Sequence, residues 1–237
     1  MAISDVKLPE GVHALAFDNP IRLAEAQALA VAERLRAAIE QRGVAVLVVS
    51  GGRSPVAFFQ QLGKQALDWS RVVISLADER WVPVEHADSN AGLLHRHLLQ
   101  GPVAKARFIG LYSPAANIEE AARLADTALA ELPPIDVLVL GMGDDGHTAS
   151  LFPHSPHLAD ALQVDGRRRV WPMLAPTVPH QRLSMSRALL ASARSWLLAI
   201  AGPEKLNTLN SALAGDDVAA LPIRAFLQPP LEIYWCP

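Results

Sequence analysis

Apolar positions change period several times along the chain. After Asn19 and Pro20, Leu23, Ala24, Ala28, Val31, Leu35 and Ile39 recur at helical spacing as far as Gly43. Asn19 suits a helix cap, Pro20 a first helical position. Residues 44–49 are then continuously aliphatic, the pattern of a strand buried on both faces. Ser50-Gly51-Gly52-Arg53-Ser54-Pro55 follows, with Ser54 as cap and Pro55 as first position of a helix through Phe58, Phe59 and Leu62. Residues 72–76 predict another strand, and Asp88-Ser89-Asn90 precede a helix ending near Leu99. Residues 118–132 predict a helix stopped by Pro133 and Pro134.

The next apolar run, residues 135–140, is interrupted only by Asp136 and reads as a buried strand. Residues 154–169 are polar and irregular, predicting a loop over a site. Short strands follow at 182–186 and 197–201, a helix from Gly202-Pro203-Glu204-Lys205 to Leu213, a short helix at 221–227 and a last strand at 231–235. No repeat or linker-like shift divides the chain, so residues 1–237 are expected to form one α/β domain.

Composition narrows the function classes. The formal charge is −3 (21 basic minus 24 acidic), and no block of five like charges occurs, which argues against nucleic acid as the main partner. The single cysteine, Cys236, excludes an internal disulfide framework and a Cys-rich zinc site. The first ten residues hold no apolar signal-peptide core, and no uncharged stretch reaches the ~18 residues of a membrane span. The expectation is a cytoplasmic protein.

Chemistry concentrates where strands end. After residue 140, Gly141, Gly143 and Gly146 bracket Asp144 and Asp145, and His147 follows. Glycines there let backbone bend sharply and approach a ligand, at the edge where an open α/β sheet keeps its site. They also fit G-x-G-x-x-G. That dinucleotide fingerprint needs a long following helix, and Pro153 and Pro156 leave room for about two turns. Ser50-Gly51-Gly52, between strand and helix, offers bare amides and a helix dipole to an anion, without a Walker lysine. Asp78-Glu79-Arg80 ends the 72–76 strand. Lys205, in a helix's first turn, opposes the macrodipole and so points to an anionic ligand nearby.

Together these segments resemble the 6-phosphogluconolactonase family, within the wider glucosamine-6-phosphate isomerase/deaminase-like group, over nearly the whole chain. The residues carrying the resemblance are Ser50-Gly51-Gly52-Arg53-Ser54-Pro55, Asp78-Glu79-Arg80-Trp81-Val82-Pro83, Asp88-Ser89-Asn90, the stretch from Gly141 to Pro153, Arg182-Leu183-Ser184 and Gly202-Pro203-Glu204-Lys205. Arg53 stands where the family commonly has Ser or Thr. The resemblance implies a three-layer αβα sandwich with a mainly parallel, Rossmann-like sheet, and hydrolysis of 6-phospho-D-glucono-1,5-lactone without metal or cofactor.

His147 is the expected general base, because an imidazole titrates near neutrality. Asp145 would orient it, and Arg80 or turn amides would stabilise the oxyanion. Asp78 is a further catalytic candidate. Ser50, Gly51, Gly52, Arg53, Arg182 and Lys205 would hold the 6-phosphate, with Asn90 and Gly143 as further substrate contacts. The expected partner is the small sugar-phosphate lactone, bound by a monomer or weak homodimer.

Rival readings fail on particular residues. The deaminase branch carries a Glu five residues beyond the His, where Phe152 stands here and cannot carry a proton. A sugar-phosphate sensor needs a DNA-binding unit, and fewer than twenty residues precede the first helix. Val48 and Val49 before Ser50 remove the nucleophile elbow of a serine hydrolase. His147, His154 and His157 lack the spacing of a three-histidine metal site.

Overall fold

The computed structural model describes residues 2–52 and 54–237; Met1 and Arg53, with the phosphate-loop role expected of Arg53, lie outside the described residues. In chain order the strands and helices are β1 (His13–Ala16), α1 (Pro20–Arg42), β2 (Ala45–Val49), α2 (Val56–Leu62), β3 (Val72–Leu76), β4 (Asp78–Arg80), α3 (Asn90–His97), β5 (Arg107–Ile109), α4 (Ile118–Ala128), β6 (Val137–Leu140), α5 (Leu158–Ala161), β7 (Val170–Leu174), β8 (Gln181–Met185), α6 (Arg187–Ala191), β9 (Ser195–Ala201), α7 (Pro203–Leu213) and β10 (Leu231–Cys236).

Local signals set the longest helix. Asn19 Oδ1 accepts the amides of Ile21 and Arg22 at 3.1 and 3.0 Å, and Pro20 opens the first turn. Gly43 closes it at φ 78°, where a Cβ would be strained. The buried face of α1, including Ala28, Val31 and Leu35, packs on the sheet.

Seven strands form an all-parallel sheet in the order β1-β10-β9-β6-β2-β3-β5. β2 and β6 are buried at every residue, as their unbroken aliphatic runs require. From β2 the chain winds outward through β3 to β5; from β6 it winds the other way through β9 to β10. Right-handed crossovers therefore place α1 and α2 on one face and α4 and α7 on the other. Adjacent β2 and β6 are the switch point, and their following loops part to open a crevice. A small antiparallel sheet, β4-β8-β7, stands beside it.

Some elements depart from expectation. Ser54 does not cap a helix: α2 starts at Val56, flanked by Pro55 without a side-chain cap bond. α4 ends at Ala128, short of Leu132, in a looser turn. The expected helix at 221–227 is a 3-10 turn, Pro222–Phe226. Residues 154–169 contain α5 and do not line the crevice, so they are no cover for the site. β1, β4, β5 and β7 are not legible as strands in the sequence, and Asp78–Arg80 is a strand of its own paired with β8.

Candidate active site

The crevice encloses a cavity of about 310 Å³ at the carboxyl ends of β2, β6 and β9. Ser50, Gly51 and Gly52 enter it after β2, Gly141, Gly143 and His147 after β6, and Lys205 from the first turn of α7. The small sheet contributes Asp78, Arg80 and Arg182, and α3 contributes Asn90.

His147 lies in a loop built by its own hydrogen bonds. The Gly143 amide donates to the His147 carbonyl at 2.8 Å, and the Gly146 amide to the Gly143 carbonyl at 3.1 Å. His147 Nδ1 lies 2.5 Å from Asp145 Oδ1, which also accepts the His147 amide at 3.1 Å. A Cβ on residue 143 would sit 2.1 Å from His147 Nδ1, so only glycine allows the ring to lie against the backbone there. Phe152 packs on the other side, its ring centroid 4.3 Å from the imidazole.

This geometry fixes the tautomer. Burial pushes the Asp145 carboxyl up, but the hydrogen bond and charge of His147 outweigh it and hold the group below its ordinary value. Asp145 is then ionised at neutral pH and can only accept. Nδ1 must carry the proton, which leaves Nε2 as the basic nitrogen.

The 78–80 segment supplies charge from inside. Asp78 is 6% exposed, and its carboxylate accepts from the Ser150 hydroxyl at 2.6 Å. The Asn90 amide donates to the Asp78 carbonyl at 2.9 Å, and its Oδ1 occupies the space a Cβ on Gly51 would take, 2.0 Å away. Asn90 thus joins the 50–52 loop to β4. Arg80 gives one N–H to the Asp88 carbonyl at 2.7 Å, while its buried Nε has no partner among the described residues. Arg182 Nε donates to the Pro179 carbonyl at 2.7 Å, and its guanidinium lies 5.8 Å from the Phe152 ring centroid.

The sequence pattern assigns no role to one residue of this segment, Glu79. Glu79 is fully buried and accepts the amides of Asn90 and Ala91, both at 2.7 Å, and the Ser89 hydroxyl at 3.3 Å. It fills the N-terminus of α3, so no ligand anion binds there. Burial pushes its carboxyl above the ordinary value, only partly offset by those amides. The signal in the sequence is a carboxylate ten residues before a Ser-capped helix; that spacing alone is unspecific.

On the opposite wall Lys205 Nζ lies 2.8 Å from Asp144 Oδ1, and the Thr208 hydroxyl donates to the Asp144 carbonyl at 3.1 Å. Gly202, which precedes α7, gives no side-chain cap, so that helix start stays open to an anion. α2 has only seven residues, which weakens the dipole behind the 50–52 loop. The Ser50 hydroxyl is buried with no partner among the described residues.

A family profile described as glucosamine-6-phosphate isomerases/6-phosphogluconolactonase matches residues 18–235. The chain is 62% identical to a 6-phosphogluconolactonase of Pseudomonas putida, over all of this chain and 98% of the relative. Its identity to the 6-phosphogluconolactonase of Pseudomonas aeruginosa is also 62%, covering both chains completely. A crystal structure of a 6-phosphogluconolactonase from Shewanella baltica superposes with a TM-score of 0.93 at 39% identity, covering 98% of this chain and 100% of that one.

Proposed function

The chain belongs to the 6-phosphogluconolactonase family, within the wider glucosamine-6-phosphate isomerase group, and we propose that it hydrolyses 6-phospho-D-glucono-1,5-lactone to 6-phospho-D-gluconate in the oxidative branch of the pentose phosphate pathway. The site observation that carries this reading is His147, whose Nδ1 is committed to Asp145 and whose Nε2 is left basic beside a cavity of substrate size.

A lactone is an ester, so an activated water suffices. Nε2 of His147 takes a proton from water as the oxygen attacks C1, and the C1–O bond forms as the carbonyl electrons move onto oxygen. Asp145 stabilises the resulting imidazolium. The amides of Gly143, Gly146 and His147 are already used within the loop, which favours Arg80 as the group that stabilises the oxyanion. Collapse breaks the bond from C1 to the ring oxygen, and the imidazolium returns its proton to that oxygen. Asp78 provides counter-charge to Arg182.

Ser50, Gly51, Gly52, Arg182 and Lys205 are assigned to the 6-phosphate, and Asn90 to placing the loop that holds it. Gly143 supports the imidazole from behind, and its amide is not free for substrate. The cavity draws on residues from Pro20 to Cys236, which supports reading the chain as one catalytic domain. No step calls for a metal. Among the described residues no helix is long and apolar enough to cross a membrane.

The deciding experiment is a coupled assay with freshly made 6-phosphogluconolactone, corrected for spontaneous hydrolysis. Enzyme-dependent formation of 6-phosphogluconate is expected. A rate equal to the spontaneous one overturns the reading.

A further inference from the structure

One polar residue interrupts the buried stripe of α1. Leu23, Gln27, Val31 and Leu35 follow at four-residue spacing, and all four are buried. Gln27 is 1% exposed, and its amide Nε2 has no hydrogen-bond partner among the described residues. An amide buried this way is unfavourable against the aliphatic side chain that the register calls for. Buried polar groups find partners, and an exception needs a reason.

The surroundings supply one. Gln27 lines the cavity together with Ser50, Gly51 and Lys205. Ser50 is a second residue on that lining whose side-chain polar atom is buried and has no partner among the described residues. An amide N–H, a hydroxyl and an ammonium group thus border one space. A phosphate dianion accepts hydrogen bonds on every oxygen, which matches three donors of this kind.

We propose that Gln27 is a substrate-binding residue whose side-chain amide donates to an oxygen of the 6-phosphate. The proposal rests on the sugar-phosphate reading above and extends the site from the strand-end loops onto α1. Leu23, Ala24 and Phe58 also line this region, and an apolar, low-dielectric setting strengthens a bond from the amide to an anion.

The test is Gln27→Met, which keeps length and approximate volume and removes the donor. The first arm follows thermal unfolding against inorganic phosphate, with chloride at matched ionic strength as control. Phosphate should raise the Tm of the parent protein, and the variant should need about tenfold more phosphate, or greater, for the same rise. Without phosphate the variant should unfold at the same or a higher temperature, because no protein partner is lost.

The second arm compares lactones. KM for the phosphorylated lactone should rise about tenfold or more with little change in kcat. Hydrolysis of unphosphorylated gluconolactone should not change. An unaltered phosphate response and KM overturn the proposal, as do equal losses on both lactones. A lower Tm without phosphate, together with an unaltered phosphate response, assigns Gln27 to structure and overturns it too. If the parent protein turns over no phosphorylated lactone, the hydrolase reading falls, and the phosphate titration still decides Gln27.

Discussion

Arg80 and Arg182 face each other directly across the β4–β8 ladder. Like charges in that position repel. Burial, and then the charge of Arg80, push the Arg182 guanidinium below its ordinary pKa, against the pull of Asp78, Asp88 and Glu79. Asp78, Asp88 and Glu79 offset part of that repulsion, and an anion bound in the cavity that both arginines line would relieve the rest. Arg182→Gln should lower kcat/KM for the phosphorylated lactone by about 10–150-fold, the span of one hydrogen bond to a charged group. Stability should change little, because relief of repulsion offsets the lost bond to Pro179. Steady-state kinetics and a melting curve on the same sample check both halves.

His147→Asn should lower kcat by about 10²–10⁴-fold, the usual range for an acid–base group. Asn still reaches the Asp145 carboxylate but has no basic nitrogen. KM should change little. Near-normal turnover in the assay of the purified variant would overturn the assignment of His147 as the base.

Lys205→Ala separates recognition from chemistry. Among the described residues Lys205 pairs with Asp144, which is 78% exposed, so the ion pair adds little to stability. The variant should lose about 10–150-fold in kcat/KM on the phosphorylated lactone and keep its rate on unphosphorylated gluconolactone. Equal losses on the two substrates would assign Lys205 to structure or to the chemical step.

Glu79 imposes a pH dependence on stability. A carboxyl whose folded-state pKa lies above its unfolded value binds its proton more tightly when folded. Stability therefore falls as pH rises from the ordinary value of 4.5 through the folded-state value, and is level beyond it. Glu79→Gln removes that segment and turns an amide N–H toward the amide of either Asn90 or Ala91, which bind different oxygens of the carboxylate, costing about 1–3 kcal/mol. Urea unfolding of both proteins across this range should show a difference that varies with pH. A constant difference contradicts the assignment.

Activity should survive prolonged treatment with a chelator, since the imidazole and water account for the reaction. Loss of turnover that added zinc restores would show that a metal is part of the site.

The sequence revealed most where one residue type alone satisfies a local need. Asn19, Pro20 and Gly43 bound α1 because cap, first-turn and left-handed positions each select among few side chains. The aliphatic run of β2, and that of β3 broken only by Ser75, announce burial on both faces. Gly51 and Gly143 were conspicuous as glycines, and the reason is tertiary: Asn90 and His147 occupy the space of their missing Cβ atoms. β1 stayed hidden because none of its four residues is buried, and it is a strand only through pairing with β10. β7 stayed hidden because Pro172 interrupts it, which is tolerated since β7 is an edge of the small sheet. Glu79 and Gln27 are polar residues in buried positions. Their settings emerge only when remote segments meet, a helix start for one and the cavity wall for the other.

The place of β10 between β1 and β9 also sets a timetable. β1 pairs with no other strand of the large sheet, and its partners run from His13–Glu232 to Ala16–Trp235. At a synthesis rate of about 5–20 residues per second, β1 waits on the order of ten seconds or more for its partner to be made. During that time its edge is unpaired. When β10 arrives it closes two ladders at once and brings Cys236 to the cavity wall. The half of the crevice around β2 and β3 is built from contacts made early, and the half around β9 and β10 is completed late. So distant a pairing marks a slow-folding topology, in which catalytic competence follows synthesis of the β10 segment.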